Sequence, residues 1–391
     1  MISNTRALDQ WIRDRFVSLN TELENLYFEQ DDKAEVASTG TDLKNALVQE
    51  GRVLIAALLR EGNTDEGFES GFDLLGNVGL YMAACRRHEI TEPSRERTSP
   101  LIEASALALQ LGASLGVTPR FATSHLSTHN FAIDGAYKCF TSLEAEHVFL
   151  DFNTRSIFAF KRAADALVRT LPLGVSHPVT YDLLVAARDA LKDAFQYNNE
   201  LFRLLDIDRF FYSVRPYYKP YRVGPHEYRG ANAGDFAGIN EIDLLLGLCN
   251  ADDASYSQLL VDKFLYMLPD DQARLRDCMR RRSLLAEFLD LADSRSTESW
   301  FQQNAAAFLE VCDAHGQTAE QHHDQLVSRF IEQPSGKLAE THMKGITASG
   351  PPLPVLLRAL EKLRDQRMAA DRDDIPTSYK ELRQLRASIK S

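Results

Sequence analysis

The sequence has no apolar run long enough to cross a membrane and no cysteine pattern that indicates disulfides or zinc. A membrane-spanning helix needs about 18 predominantly apolar residues, and no stretch approaches that length. Residues 1–15 alternate charged and apolar side chains and contain no hydrophobic signal core. The five cysteines form no C-x-x-C pair and are scattered along the chain: Cys85, Cys139, Cys249, Cys278 and Cys312. These absences predict a cytoplasmic protein with reduced thiols and no membrane partner.

Basic residues are also too few for a polyanionic partner. Lys and Arg total 44 against 56 Asp and Glu, which gives a formal net charge of −12. Clustered Lys and Arg bind phosphate backbones and anionic lipid surfaces, so we exclude nucleic acid as a partner. The H-E-x-x-H pattern of zinc proteases and the Walker phosphate loop are absent too. Nothing in the sequence indicates an oligomeric state.

Helical periodicity dominates the pattern that is present. Apolar residues recur at i, i+3 and i+4 over residues 5–30, 42–60, 101–115, 154–171, 180–205, 236–249, 257–267, 272–292, 298–314, 318–333 and 353–368. Strand-like alternation is scarce and no βαβ rhythm is visible, so we predict an all-α fold. We expect a smaller helical part over residues 1–95, a main helical domain over 96–370, and a charged, loosely packed tail over 371–391.

One histidine lies within an apolar helix face. On a helix His323 shares its face with Leu326, Val327 and Phe330, whereas His322 is rotated about 100° away. An imidazole in an apolar wall can serve as an axial ligand to haem iron. A core histidine with a backbone partner has the same pattern, so the spacing leaves both interpretations open.

An aromatic pair followed by an arginine is typical of a site for an aromatic amino acid. Phe210 and Phe211 precede Arg215 by five and four residues. Arginine can hold a carboxylate through two hydrogen bonds while the rings enclose an aromatic group. The alternative is an aromatic cluster at the surface with a capping arginine.

Two loops rich in small residues are further candidates for ligand contact. The loop at 229–235 includes Ala233 and Gly234, and small residues allow a flat ligand to approach the backbone. The loop at 344–350 bears the hydroxyl of Thr347, and it either closes over a ligand or is a solvated connection. His125 and His129 have metal-ligand spacing, but no carboxylate ligand lies near them in the sequence.

Taken in order, these segments resemble the haem-dependent tryptophan and indoleamine 2,3-dioxygenase superfamily, from about Leu101 to Met368. The run Phe-Phe-Tyr-Ser-Val-Arg at 210–215 resembles that superfamily's Phe-Phe-x-x-x-Arg segment, and the run at 323–327 resembles the segment of its proximal histidine. The runs Arg-Pro-Tyr-Tyr-Lys-Pro-Tyr-Arg-Val-Gly and Tyr-Arg-Gly-Ala-Asn-Ala-Gly-Asp-Phe are similar to one branch, the monodechloroaminopyrrolnitrin synthase family.

The resemblance implies a helical haem-binding domain and assigns roles to particular residues. It implies haem b bound to the protein through His323, with dioxygen as co-substrate. Residues at the cofactor are Ala233 and Gly234, and Ser156 falls at a catalytic position beside the bound dioxygen. The implied substrate contacts are Phe210, Phe211, Arg215 and Thr347. The sequence departs from the dioxygenase pattern in having Glu320 where an arginine stands near a haem propionate, and Asn232 in place of a loop serine.

The function implied is dioxygenation or oxidative ring rearrangement of tryptophan or a substituted tryptophan. The alternatives are a haem-dependent tyrosine hydroxylase and a non-catalytic haem-binding protein. A tyrosine site would hold a hydrogen-bonding group against the phenol. The candidates for such a group are His125, His129, Tyr212, Tyr217 and Tyr218.

Overall fold

The computed structural model of the chain describes residues 3–62, 67–232, 234–325 and 353–389. Helices account for most of these residues. The strands in the described ranges form one antiparallel hairpin, Tyr221–Val223 (β1) and His226–Tyr228 (β2), with Tyr221 opposite Tyr228. The predicted all-α fold is confirmed. Within those ranges, no helix has both the length and the apolarity that crossing a bilayer requires.

The chain folds into two compact units that alternate along the sequence. As far as the described residues go, the first unit contains Met1–Asp151 and Leu204–Asp235. The second contains Phe152–Arg203, Phe236–Glu332 and Pro354–Ser391. The division into residues 1–95, 96–370 and 371–391 stays a prediction.

The first unit is built around a helix that is buried on nearly all sides. Its elements are α1 (Asn4–Arg13), α2 (Arg15–Phe28), α3 (Thr41–Glu61), α4 (Phe68–Arg87), α5 (Ile102–Leu115), a 3-10 turn at Thr123–Leu126 and the first turns of α6 (Glu144–Thr170). Helices α1, α3 and α5 pack against α4. A Cβ at Gly79 would lie 2.4 Å from the backbone nitrogen of Phe121. Glycine therefore allows the chain to pack directly against the surface of α4.

A change of helix type marks the segment that carries the candidate substrate residues. After α7 (Pro178–Leu204), the short helix α8 (Ile207–Arg209) is capped by Asp206, whose side chain accepts a hydrogen bond from the backbone nitrogen of Arg209 at 2.9 Å. The chain widens into a π-helical stretch at Phe210–Val214 and tightens into a 3-10 turn at Arg215–Tyr218. π-helical turns are frequent at functional sites.

The second unit is a bundle of helices. It contains α6 from Phe152 onward, most of α7, α9 (Gly238–Leu246), α10 (Ala254–Phe264), α11 (Pro269–Arg280), α12 (Leu284–Arg295), α13 (Ser299–Gln321), α14 (Leu353–Arg367) and α15 (Tyr379–Ala387). Local chemistry sets several ends. Asp253 and Ser283 cap α10 and α12 by accepting backbone hydrogen bonds. Pro269 opens α11, and Gly247, at a φ of 76°, ends α9.

The C-terminal tail is ordered, and the expectation of loose packing is wrong. Helix α15 packs against α12 and α13, and its side chains Leu382 and Leu385 are buried. Two leucines three positions apart make too short an apolar stripe to stand out in a charged segment. The burial of these leucines holds the tail on the second unit.

Candidate functional site

Three of the four predicted substrate residues lie together in the first unit and are buried, and Thr347 lies outside the described residues. Phe210, Phe211 and Arg215 are 6%, 2% and 8% exposed. The ring of Phe149, on the first turns of α6, lies 5.0 Å from that of Phe210. The alternative of a surface cluster with a capping arginine is therefore wrong. The buried segment instead presents two rings and a cation to the interior of this unit.

Arg215 is a buried cation without a matching anion among the described residues. Its Nη1 is enclosed and has no hydrogen-bond partner in that part of the chain. The guanidinium carbon lies 5.5 Å from the centre of the Phe211 ring, which gives it a cation–π contact. Burial lowers the pKa of Arg215 to about 10, so the side chain still carries its charge at neutral pH. An enclosed guanidinium of this kind can bind a carboxylate.

The predicted cofactor loop is fixed by a buried carboxylate that the sequence patterns did not indicate. Asp235 accepts hydrogen bonds from Arg120 at 3.1 Å and Arg229 at 2.6 Å, and from the backbone nitrogen of Asn232 at 3.2 Å. The backbone nitrogen of Gly234 donates to the Asn232 side chain at 2.9 Å. Gly234 thus lies in a tight polar turn, whereas Ala233 is outside the described residues.

One glycine in this loop is required by close packing. A Cβ at Gly230 would lie 1.8 Å from the carbonyl oxygen of Tyr218. Any side chain at this position would therefore push the loop away from the 3-10 turn. Close packing against the 3-10 turn therefore explains the glycine at position 230.

His323 follows the end of α13 in the second unit. Its side chain is 17% exposed. The Nδ1 atom lies 3.3 Å from the Asp324 carboxylate and 3.3 Å from an Arg364 nitrogen. Within the described ranges no hydrogen bond is made by its Nε2. With its Nδ1–H donated to Asp324, the ring keeps the Nε2 lone pair that an iron ligand needs, whereas a hydrogen bond from Arg364 to Nδ1 places the proton on Nε2. The apolar neighbours Leu326, Val327 and Phe330 lie outside the described residues.

The neighbouring His322 is the other candidate for the ligand of the iron. His322 is exposed to solvent, and the positive charges of Arg367, His323 and Lys263 lower its pKa by disfavouring the protonated ring. His322 is thus a neutral imidazole at neutral pH, as a metal ligand must be. The chemistry of an imidazole alone therefore does not decide whether His322 or His323 would bind iron.

Ser156 is buried in the second unit and belongs to a chain of hydrogen bonds. Its hydroxyl donates to the side-chain oxygen of Asn198 at 3.0 Å. Asn198 donates in turn to the side-chain oxygen of Gln321 at 3.1 Å. Gln321 is the last residue of α13, two positions before His323. The structure thus connects Ser156 to the end of the helix that precedes His323, and its catalytic role stays a prediction.

A buried ionic cluster in the second unit was not foreseen. Asp243 on α9 accepts hydrogen bonds from His315 at 2.7 Å, from Tyr256 at 2.8 Å, and from two nitrogens of Arg367 at 2.9 and 2.8 Å. Although burial acts in the opposite direction, these donors hold the pKa of Asp243 below its usual value. The sequence signal was an aspartate within the apolar run 242–246, but its partners lie 13, 72 and 124 residues further along the chain.

The histidine pair considered for a non-haem metal is not available for that role. The Nδ1 of His125 accepts a hydrogen bond from the backbone nitrogen of Ala122 at 2.9 Å, and its Nε2 bonds to the carbonyl of Phe72 at 2.9 Å. Its ring stacks on Phe72 with 3.9 Å between centroids. Burial lowers the pKa of His125 to about 3. His129 bonds to Thr128, and the described residues contain no cluster of three or more metal-binding side chains.

The sequence as a whole matches one protein family. The model of the family described as monodechloroaminopyrrolnitrin synthase PrnB matches residues 2–389. The match includes the predicted site residues on both units, and also Ala233 and Thr347, which lie outside the described residues. It confirms the resemblance found in the segments 210–236 and 323–327. The chain therefore belongs to the monodechloroaminopyrrolnitrin synthase PrnB family.

Proposed function

We propose that this enzyme is a haem-dependent oxygenase of tryptophan or a ring-substituted tryptophan. It would act by dioxygenation or by oxidative rearrangement, in a reaction like that of monodechloroaminopyrrolnitrin synthase. The observation that carries the proposal is the family match over residues 2–389. The alternative of a non-catalytic haem-binding protein does not agree with membership of an enzyme family.

The substrate side of the proposal is supported by the buried segment 210–215. Arg215 holds the carboxylate of the amino acid, because its enclosed guanidinium has no hydrogen-bond partner for Nη1 among the described residues. The rings of Phe210 and Phe211 enclose the indole. These contacts exclude water and fix the orientation of the substrate, which lowers the entropic part of the barrier. Thr347 is proposed as a further contact from the resemblance alone.

The donor chemistry of the chain fits a haem. His323 is the proposed ligand of the iron, with its Nδ1 held near Asp324 and Arg364, and Ala233 and Gly234 are proposed to contact the macrocycle. When bound, the haem supplies the activation of dioxygen. The hydroxyl of Ser156 already donates to Asn198, so its oxygen remains able to accept a hydrogen bond.

The assignment of His323 is tested with its neighbour as the matched control. We expect His323→Ala to lose most of the bound haem or its five-coordinate ferrous spectrum, because the variant has no imidazole at the iron. His322→Ala should retain both. The measurement is haem content and the absorption spectrum of each purified variant, with and without dithionite. The opposite pattern would transfer the ligand role to His322.

The reaction is tested by offering three amino acids to the reduced protein. We expect turnover of L-tryptophan or 7-chloro-L-tryptophan in the presence of dioxygen, followed by mass spectrometry of the products. A gain of two oxygen atoms would indicate ring cleavage, whereas loss of carbon dioxide and two hydrogen atoms, with dioxygen accepting the two electrons, would indicate oxidative rearrangement. Turnover of L-tyrosine alone would replace the proposal with a tyrosine hydroxylase.

A further inference from the structure

The 3-10 turn that bears Arg215 contains a second buried polar group without a partner. The hydroxyl of Tyr218 is enclosed, and it has no hydrogen-bond partner in the described part of the chain. The residue is 8% exposed. Buried hydroxyl groups in proteins are nearly always hydrogen-bonded, so an exception needs an explanation.

Other buried tyrosines of the first unit do have partners. The hydroxyl of Tyr27 bonds to His88 at 3.1 Å, and that of Tyr81 donates to the carbonyl of Val48 at 3.1 Å. The hydroxyl of Tyr221 accepts a hydrogen bond from the backbone nitrogen of Phe121 at 2.8 Å. Tyr217, next to Tyr218, lies 3.5 Å from a His88 nitrogen. The unpaired hydroxyl is thus not a general property of this aromatic region.

The position of Tyr218 on the turn relates it directly to Arg215. Residues at i and i+3 of a 3-10 helix lie on the same side, because the helix has three residues per turn. Arg215 and Tyr218 are the first and last residues of the turn. The two side chains with unpaired polar atoms therefore leave the backbone on the same side, about 6 Å apart along the axis.

The surroundings of Tyr218 also relate it to the aromatic pair. Its ring lies 5.9 Å from that of Phe149, which in turn lies 5.0 Å from Phe210. Phe121 and Phe140 lie 5.7 and 6.1 Å from the Tyr218 ring. The ring of Tyr218 thus lies among apolar rings, and Phe149 contacts both this ring and that of Phe210, which is proposed to enclose the indole.

The nearby carboxylate of Glu146 does not satisfy this hydroxyl. Glu146 accepts hydrogen bonds from the backbone nitrogens of Phe140 and Thr141 at 2.7 Å each, and from the Thr141 hydroxyl at 2.6 Å. Burial and then the charge of Glu146 raise the pKa of Tyr218. Tyr218 is therefore a neutral hydroxyl at any physiological pH and is able to accept a hydrogen bond.

We infer that Tyr218 is a specificity-determining residue whose hydroxyl oxygen accepts a hydrogen bond from the ring N–H of an indole amino acid. Arg215 binds the carboxylate of the same molecule. The inference rests on the proposed function and specifies which part of the substrate is recognised. The indole N–H is a single donor at the ring, and the unpaired oxygen of Tyr218 is a matching acceptor.

The test compares tryptophan with an analogue that lacks the ring N–H. The probes are L-tryptophan and β-(benzothienyl)-L-alanine, in which sulfur replaces the ring nitrogen. The dissociation constant of each is measured by calorimetry in the purified ferric protein, which avoids turnover. We expect Tyr218→Phe to weaken binding of tryptophan about tenfold and to leave binding of the analogue unchanged. Tyr217→Phe, on the same turn, should change neither constant.

A second measurement distinguishes recognition from a structural role. Tyr218→Phe removes a buried hydroxyl that has no partner in the ligand-free protein, so the Tm of the ligand-free variant should equal or exceed that of the unmodified protein. A lower Tm, with both ligands weakened alike, would show that Tyr218 acts only in packing and would overturn the inference.

The remaining outcomes separate the inference from the proposed function. If the unmodified protein binds no indole amino acid, the proposed function fails. If it binds tryptophan but Tyr218→Phe binds it equally well, only the role of Tyr218 fails. If the variant loses affinity for L-tyrosine and keeps its affinity for tryptophan, the hydroxyl recognises a phenol and the assignment to the indole N–H is overturned.

Discussion

Two buried charges, one in each unit, differ in how they are neutralised. Asp243 in the second unit is fully enclosed and accepts hydrogen bonds from His315, Tyr256 and Arg367. Arg215 in the first unit is nearly as buried, but its Nη1 lacks a partner among the described residues. Asp243, whose carboxylate is fully hydrogen-bonded, joins helices α9, α10, α13 and α14. Arg215, which has an unpaired nitrogen, can bind a ligand. The comparison separates a buried charge that holds helices together from one that is available to a ligand.

The largest effect on stability is expected from disrupting the hydrogen-bonded cluster around Asp243. Asp243→Asn would leave Arg367 buried without its anion, and breaking a buried ion pair in this way costs about 3–5 kcal/mol. We expect the free energy of unfolding in urea to fall by that amount. Asp277→Asn is the control, because Asp277 pairs with Arg281 at the surface and such pairs contribute at most about 1 kcal/mol. Equal effects of the two substitutions would remove the distinction drawn for Asp243.

Replacing Arg215, the buried charge whose Nη1 lacks a hydrogen bond, should weaken substrate binding and leave the stability of the protein unchanged. Arg215→Met replaces the buried cation by an apolar side chain of similar length. We expect the dissociation constant for tryptophan to rise at least about thirtyfold, since truncating one partner of a buried charged pair costs about 2–5 kcal/mol. The stability of the ligand-free protein should not fall. Arg203→Met, at an exposed position, is the control for binding. An unchanged binding curve for Arg215→Met would remove this residue from the site.

The smallest effect at neutral pH concerns a buried neutral group of the first unit whose hydrogen bonds are all made. His125 has both ring nitrogens occupied, and burial lowers its pKa to about 3 from 6.5. Since the unfolded chain binds a proton on this histidine below about pH 6.5 and the folded chain does not, stability is lost as the pH falls from about 6.5 towards 3. One such histidine contributes at most about 1.4 kcal/mol per pH unit.

The pH effect is checked with a variant that does not titrate. His125→Gln keeps one donor and one acceptor, and we expect its free energy of unfolding to depend less steeply on pH between 6.5 and 4. The measurement is urea denaturation at a series of pH values. An identical slope in both proteins would show that His125 is protonated in the folded state.

The parts of the molecule that depend on local patterns were predictable from the sequence. Helical periodicity indicated the all-α fold, and the run 210–215 indicated an aromatic pair beside an arginine without deciding whether the group is buried or at the surface. The change from π-helical to 3-10 geometry at Arg215 was not predictable, because it depends on how the turn packs. The Asp243 cluster was missed because its partners come from three other helices, and no spacing rule relates residues 72 or 124 positions apart. The free hydroxyl of Tyr218 is likewise visible only when its neighbours are known.

The alternation of the two units along the chain has a consequence for synthesis of the protein. The first unit receives Met1–Asp151 early, but it also needs Leu204–Asp235, which follows a segment of the second unit. A nascent chain that has emerged only as far as Asp151 therefore lacks Arg215 and the aromatic turn. The first unit can be completed only after Asp235 has left the ribosome, by which time Phe152–Arg203 is also exposed and still lacks most of its own bundle. Folding of the first unit is thus expected to wait for Asp235, and a gene fragment ending near residue 151 should yield an unstable product.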